Sequence, residues 1–194
     1  MTVAALYVDV EAGPYAGMAG VDAWGVERDA KLYRGPSPVV AHPPCGPWGK
    51  LAWNCTKQDP TCGPVAVAQT LQYGGVLEHP EGSRLWPHCG LPKPFRALPT
   101  FAPRVWSLIV SQCDWGHRAQ KATALLFVGV DPRGVVLPPP REPTHYIGTS
   151  AADRGGKPCL PKKERHITPP AFAEWLVALA RTARSDLRAP SRGA

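Results

Sequence analysis

Prolines and glycines divide this chain into short segments, and their number limits the folds that it can adopt. The 194 residues include 24 prolines and 19 glycines, more than a fifth of the chain, where about 12% is usual. Because proline interrupts the interior of a helix, long helical bundles are excluded. Apolar residues make up 44% of the sequence, which is enough for a core, so we predict one α/β domain over residues 1–183.

The net charge of +7 arises mainly after residue 156, where basic residues clearly outnumber acidic ones. We therefore predict a basic flexible tail over residues 184–194 and an anionic partner, either nucleic acid or a nucleotide. A solvated basic surface without such a partner is the alternative. No segment has the roughly 20 apolar residues of a membrane span, and no secretion signal is visible, so we predict a cytoplasmic protein without membrane association.

The six cysteines do not indicate a disulfide framework, because no secretion signal accompanies them. The spacings between Cys55 and Cys62 and between Cys89 and Cys113 also lack the paired C-x2-C units of a structural zinc site. No metal is therefore assigned. A zinc protein with mixed ligands at His42, Cys45 and His79 stays open as an alternative, which metal analysis would decide.

Apolar runs that end at turn residues predict strands, and one segment with helical spacing lies between two of them. A strand, a helix and a strand in this order indicate a parallel crossover, so the predicted fold is a small Rossmann-like, mostly parallel sheet with an antiparallel edge pair and a C-terminal helix. The predicted strands are 3–10, 38–41, 75–80, 105–113 and 122–130; the helices are 64–73 and 171–183, the second capped by Thr168-Pro169-Pro170; and 81–104 is a surface loop.

Reactive side chains follow several of these strands. In an open α/β sheet, ligands bind at the carboxyl ends of the strands, so we expect these side chains to converge. Cys45 follows two prolines after a strand, and nearby His42 and basic groups are expected to lower the pKa of its thiol. Taken singly, each residue could equally be structural. The converging set is Asp9, Glu11, His42, Cys45, Glu78, His79, His117, Arg118 and Lys121.

Several segments resemble the DNA cytosine-5 methyltransferases. The loop from Val39 to Cys45 is similar to the family's catalytic loop, and Leu77 to Pro80 is similar to its glutamate strand end. Trp115 to Thr123, followed by an apolar strand, resembles a later signature of the family. Tyr7 to Pro14 and Val26-Glu27 more loosely resemble its adenosylmethionine-binding strand and the acidic strand end after it. A closer similarity is to short phage and prophage proteins that share most of these motifs, which would place the protein in a bacterial host cell.

The resemblance implies a modification of cytosine or uracil. Cys45 would add to carbon 6 of the pyrimidine, Glu78 would hold or protonate N3, and Arg118 or Lys121 would steady the adduct, with His42 and His79 beside them. S-adenosylmethionine would be the cofactor. Fewer than 40 residues separate the last predicted strand from the final helix, too few for the family's large target-recognition domain. The residues implied for the cofactor are Asp9, Glu11, Gly13 and Glu27.

A second hypothesis is a non-catalytic module that binds nucleic acid or a partner protein on the same fold. Basic side chains would contact phosphates, and exposed tryptophans would stack on bases. Under this hypothesis Cys45 would be dispensable. The residues assigned to nucleic-acid binding are Trp48, Lys50, His117, Lys162 and Lys163, with Trp53 and Trp86 as further stacking candidates.

Overall fold

The fold is a six-stranded mixed sheet with helices on both faces. The computed structural model describes residues 1–49, 52–147 and 156–184. The strands are β1 (Val3–Leu6), β2 (Val21–Trp24), β3 (Val39–Ala41), β4 (Gly75–Pro80), β5 (Val105–Ser111) and β6 (Ala122–Val128); the helices are α1 (Cys62–Tyr73), α2 (Leu85–His88) and α3 (Pro170–Arg181). The predicted fold class, with its antiparallel edge pair and C-terminal helix, is confirmed.

The strand order β2-β1-β3-β4-β6-β5 explains where ligands could bind. Strands β1 to β4 are parallel neighbours, and β6 and β5 complete the sheet in antiparallel pairings. The chain passes from β1 outward to β2 and then returns across β1 to β3, so the order reverses beside β1. A crevice at the carboxyl ends of strands at such a reversal is the usual ligand site of open α/β sheets. We call this side of the sheet the carboxyl edge.

The strands are buried on both faces, because alternate side chains enter two different cores. Helix α3 covers one face through Phe172 and Leu176, and α1 covers the other through Ala66 and Val67. This arrangement explains the continuous apolar runs in the sequence, which are typical of parallel strands. One row of paired residues crosses all six strands, consisting of Ala23, Ala5, Val40, Val76, Phe127 and Trp106.

Several details differ from the sequence prediction, including β2 (Val21–Trp24), which is not among the predicted strands. The first strand ends at Leu6 rather than residue 10, because Tyr7 has a φ of 62° and turns the chain. The segment 81–104 is not wholly a surface loop, since α2 buries Leu85 and Trp86. Thr168 does not cap the final helix: Pro169 is the N-cap residue and no side chain caps it. The described helices include none that is long and apolar enough to span a membrane.

Gly75 starts β4 at a position that accepts no side chain. Its φ is 116°, and a Cβ atom there would overlap the carbonyl oxygen of Val39 on the neighbouring strand. We expect Gly75→Ala to lower the free energy of unfolding by about 3 kcal/mol or more, because backbone strain and a steric clash add together. Gly134→Ala is the matched control, since a Cβ there meets nothing within 4 Å. Denaturant unfolding that shows equal stabilities for the two variants would contradict this role of Gly75.

Candidate functional site

Glu78 is the centre of a hydrogen-bonded network at the carboxyl edge. Its Oε2 atom lies 3.2 Å from Nδ1 of His42, the residue after β3, and its Oε1 accepts a 2.9 Å hydrogen bond from Nε2 of Gln112. The same Gln112 nitrogen donates to Oγ1 of Thr123 at 2.9 Å. The hydroxyl of Tyr15 lies 2.6 Å from Nε2 of His42. The carboxylate is therefore fixed by direct partners from two separate parts of the chain, and Thr123 and Tyr15 hold those partners in turn.

The hydrogen-bond network identifies the protonation pattern that satisfies it. Burial, followed by the charge of Glu78, raises the pKa of Tyr15 well above its ordinary value, so the hydroxyl keeps its proton and donates it to Nε2 of His42. The proton of His42 then sits on Nδ1 and faces Glu78. Burial raises the pKa of Glu78, but the hydrogen bond from His42 and nearby positive charge, including that of Lys121, lower it more, so the net shift is downward. Glu78 is an ionised carboxylate at neutral pH.

Cys45 follows β3 and begins a 3₁₀ turn at Gly46–Trp48. Burial raises the pKa of its thiol, the charge of Glu78 raises it further, and Lys121 lowers it by a smaller amount. The sequence-based expectation of a lowered thiol pKa is therefore wrong. The main physical reason is burial of the thiol; in addition, His42 points to Glu78 and Tyr15, so the largest charge effect on the sulfur comes from the Glu78 carboxylate. The resting cysteine carries its proton.

Lys121 supplies the positive charge beside Cys45. Its Nζ donates a 2.9 Å hydrogen bond to the carbonyl of Ile167. Burial lowers its pKa, and the charges of Glu78 and Cys45 partly oppose this effect. Arg118, the other predicted cation, instead bonds to Glu164 and His145 at 2.6 Å each. Of these two predicted cations, Lys121 is the one that acts on Cys45.

Two clefts open at the carboxyl edge on either side of the Pro44-Cys45 loop. The acidic cleft, of about 850 Å³, is lined by the ends of β1 and β2, by Pro44 and by the start of α1. The basic cleft, of about 720 Å³, is lined by Cys45, Pro80 and segments after β6. Both volumes lie within the range of about 300–1,000 Å³ that is usual for small-molecule sites. The charged residues of the acidic cleft are Asp9, Glu11, Glu27, Asp29, Asp59, Lys31 and Lys57. Those of the basic cleft are Lys121, Lys157 and Arg165, and the histidines His145 and His166 also line it.

Unusual backbone conformations coincide with these clefts. Within the described chain, the non-glycine residues with positive φ are Tyr7, Asp29 and Lys121, with values of 62°, 43° and 42°. Tyr7 and Asp29 line the acidic cleft, and Lys121 lines the basic one. Such conformations cost energy and cluster at functional sites. Both clefts are therefore candidates for binding.

Three of the four residues predicted to bind a cofactor line the acidic cleft. Asp9 uses its carboxylate to accept hydrogen bonds from the backbone of Glu11 and Ala12 at 3.0 and 2.9 Å, so it shapes the loop after β1. Within the described residues, the carboxylates of Glu11 and Glu27 have no ion-pair or hydrogen-bond partner. Gly13 does not line the cleft, but a Cβ there would overlap the carbonyl of Asp9. Gly13 therefore allows the tight loop.

The residues assigned to nucleic-acid binding do not form one surface. Trp86 is buried and donates to Ser107, so the prediction that it is exposed is wrong. Trp48 is partly buried against the ring of His88 at 4.8 Å, and His117 is buried beside the carbonyl of Ala119. Trp53 is 80% exposed, and Lys162 and Lys163 are exposed. Lys50 and residues 185–194 of the predicted tail lie outside the described residues.

His79 lies on the opposite face of β4 from Glu78 and is 1% exposed. Neither ring nitrogen makes a hydrogen bond of ordinary geometry with the described residues, although the Pro44 carbonyl is close enough to favour the protonated ring. Burial outweighs this carbonyl and the charge of Glu78, and it lowers the pKa of His79 from 6.5 to about 4. His79 is a neutral side chain beneath the Pro44-Cys45 loop.

We expect His79 to make the fold less stable in mild acid. The unfolded chain binds a proton at His79 near pH 6.5, whereas the folded protein resists protonation down to about pH 4. The part of the free energy of unfolding that depends on a neutral His79 is therefore fully present above pH 6.5. About 2 kcal/mol of it is lost by about pH 5. Denaturant unfolding at about pH 7 and about pH 5 measures this loss. The same loss in His79→Gln would contradict the assignment.

The structure does not assemble the hypothetical zinc ligands. The described residues contain no group of three His, Cys, Asp or Glu side chains arranged to hold a metal ion. Both ring nitrogens of His42 are engaged by Tyr15 and Glu78. Sequence reasoning also missed Tyr15, Gln112 and Arg165, and no local motif marks them. Their roles depend on which strands become neighbours.

Comparisons with models of protein families, with curated proteins and with solved structures give no match to this chain. Because a fold of this class hosts many activities, the function has to be argued from the site.

Proposed function

We propose that this protein modifies carbon 5 of a pyrimidine, cytosine or uracil, carried by a nucleotide or nucleic acid, with Cys45 as the nucleophile. The observation that carries the proposal is the position of Cys45 in the basic cleft, directly after Pro44 of the acidic cleft, where a fixed carboxylate and a partly buried lysine act on its thiol. A thiol with an acid-base partner suits addition to an electron-poor ring. The resemblance to cytosine-5 methyltransferases points in the same direction.

The protonation states of Cys45 and Glu78 match the proton balance of this addition. The resting pair holds one proton, on sulfur, because the pKa of the thiol is raised and that of Glu78 is lowered. When sulfur bonds to carbon 6 of cytosine, the π pair of the 5,6 double bond forms a C4–C5 double bond, and the π pair of the C4=N3 double bond moves onto N3. Glu78 takes the thiol proton and delivers it to N3; in uracil, whose N3 already carries a hydrogen, the pair and the proton go to the oxygen on carbon 4. No outside acid or base is required.

Lys121 and the network behind Glu78 assist this step. The ammonium group of Lys121 favours the thiolate as the sulfur loses its proton. His42 and Gln112 hold both carboxylate oxygens, so Glu78 is oriented before the substrate arrives, which avoids reorganisation during the reaction. Tyr15 holds the His42 ring in turn. Carbon 5 of the resulting adduct is nucleophilic.

The acidic cleft fits the positively charged cofactor that the resemblance implies. Its lining has five carboxylates and two lysines, and the carboxylates of Glu11 and Glu27 have no partner among the described residues. Carboxylates in such crevices bind ribose hydroxyls and attract cationic groups. Glu11 and Glu27 would hold S-adenosylmethionine, while Asp9 and Gly13 shape the loop. When bound, this cofactor supplies an electrophilic methyl group.

The proposal can be tested without knowing the carbon donor. Addition of Cys45 to carbon 6 makes carbon 5 able to take up deuterium, and elimination then releases the original hydrogen. Proton NMR in D₂O should show loss of the carbon 5 hydrogen from deoxycytidine or deoxyuridine monophosphate, or from oligonucleotides that contain these bases. Absence of catalysed exchange from every member of this panel would overturn the proposal.

A further inference from the structure

The basic cleft carries a second feature that the addition chemistry does not use. Lys157 and Arg165 line it together with Cys45 and Lys121, and among the described residues no carboxylate lines it. Lys121 is occupied near the sulfur, since it donates to Ile167 and interacts with Glu78 and Cys45. Lys157 and Arg165 therefore offer positive charge that a pyrimidine ring alone does not need. A phosphate group would need it.

The wall of the cleft holds Arg165 in place. The chain at Tyr146 pairs with residues 158–160 through two backbone hydrogen bonds, from Tyr146 to Pro158 at 3.1 Å and from Leu160 to Tyr146 at 2.9 Å. The guanidinium of Arg165 donates from Nε to the carbonyl of Leu160 at 3.0 Å and from Nη2 to Sγ of Cys159 at 3.1 Å. Its Nη1 makes no hydrogen bond with the described residues. The side chain is thus fixed while one nitrogen still has donors for a ligand.

Lys157 is available to the same ligand. Its only ion-pair partner among the described residues is Glu142, at 3.6 Å, and the Glu142 side chain is 96% exposed. An exposed pair of this kind contributes little free energy, so a phosphate could replace it. His145 is already engaged, because its Nε2 lies 2.6 Å from the guanidinium of Arg118. His166 is exposed at the rim. Arg165 and Lys157 are the groups best suited to bind a phosphate.

We propose that the substrate is a free pyrimidine nucleotide whose phosphate is bound by Arg165 and Lys157 while its ring lies against Cys45. This inference rests on the proposed function. A volume of about 720 Å³ is suitable for a small molecule. A nucleic-acid duplex would present about one negative charge per 1.7 Å of its axis. Part of that charge would face the five carboxylates of the acidic cleft on the other side of Cys45.

Calorimetric titration of the full chain separates these possibilities. The probes are deoxycytidine and deoxyuridine 5′-monophosphates, the two nucleosides, and single-stranded and duplex oligonucleotides. One of the monophosphates should bind about tenfold or more tightly than its nucleoside, because charge-assisted hydrogen bonds to phosphate are strong. Arg165→Gln and Lys157→Gln should each lower the affinity for that monophosphate about tenfold and leave the affinity for the nucleoside unchanged. Arg133→Gln, which affects an exposed pair with Asp131 outside the cleft, should change neither.

Each alternative outcome has a distinct meaning. Equal affinity for nucleotide and nucleoside, or no nucleotide binding, would overturn the phosphate site. An oligonucleotide could instead bind tightly and with a steep salt dependence, while both monophosphates bind weakly. This result would overturn the free nucleotide as the substrate in favour of nucleic acid and leave the proposed function intact. Lys157→Gln keeps the test decisive if Arg165→Gln does not fold, since Lys157 makes only an exposed contact. Phosphate-dependent binding without hydrogen exchange at carbon 5 would support the site and overturn the proposed function.

Discussion

Replacing Cys45 by alanine is expected to abolish deuterium exchange at carbon 5 of the pyrimidine. Without the sulfur, no nucleophile is available to add to carbon 6, so the rate should fall by about 10³-fold or more. The fold should persist, because Cys45 is only partly buried and lies in a turn rather than in the core. Proton NMR in D₂O gives the rate, and thermal unfolding checks the fold.

Cys55→Ala is the matched control for this result. Cys55 is the second thiol of the loop, close enough for its charge to act on Cys45, and its sulfur makes only a weak 3.7 Å contact with Gln58. Its loss should change the exchange rate by less than about threefold. Exchange that survives in Cys45→Ala but disappears in Cys55→Ala would show that Cys55, and not Cys45, is the nucleophile.

Glu78→Gln should give the second large loss, about 10²–10⁴-fold in the exchange rate. The amide cannot take the proton that the Cys45 sulfur must release. Whichever way the amide lies, its NH₂ group would also confront a donor, either the NH₂ group of Gln112 or Nδ1–H of His42. The variant therefore tests proton transfer and orientation together.

Two further variants separate these effects. Gln112→Leu keeps the carboxylate but removes one of its hydrogen bonds, so a loss well below that of Glu78→Gln is expected. Glu81→Gln changes a nearby carboxylate that pairs with Arg96 at 2.7 Å on the surface, and it should leave the rate nearly unchanged. A Glu78→Gln enzyme as active as Glu81→Gln would remove Glu78 from the chemistry.

Local patterns predicted most of the fold. The spacing of Val65, Ala68 and Leu71 indicated α1, although the face that the helix buries carries Ala66, Val67 and Thr70 instead. The apolar runs on either side of it indicated β3 and β4. The edge pair and the final helix were also predicted, because their apolar residues follow clear patterns even in short segments. The burial of Leu85 and Trp86 was not predicted, since the surrounding prolines and glycines give the segment the composition of a loop.

Only part of the site could be predicted from the sequence. Cys45 and Glu78 could be named because each follows a predicted strand. The contacts of Glu78 could not, because Gln112 reaches it only after β6 pairs with both β4 and β5. Tyr15 comes from a loop 27 residues before His42, and no spacing rule links them. The pKa of the thiol was predicted in the wrong direction, because the burial of Cys45 and the position of the Glu78 carboxylate both depend on the tertiary fold.

Fluorine NMR of a bound 5-fluorinated pyrimidine nucleotide tests most directly whether Cys45 bonds to carbon 6. The fluorine makes the ring more electron-poor and reports the state of the neighbouring carbon. Addition of sulfur and uptake of a proton at carbon 5 would move the signal from the vinylic to the aliphatic range. We expect this change with the wild-type protein and not with Cys45→Ala. A signal that stays vinylic at saturating wild-type protein, or that becomes aliphatic with Cys45→Ala, would contradict covalent addition by Cys45.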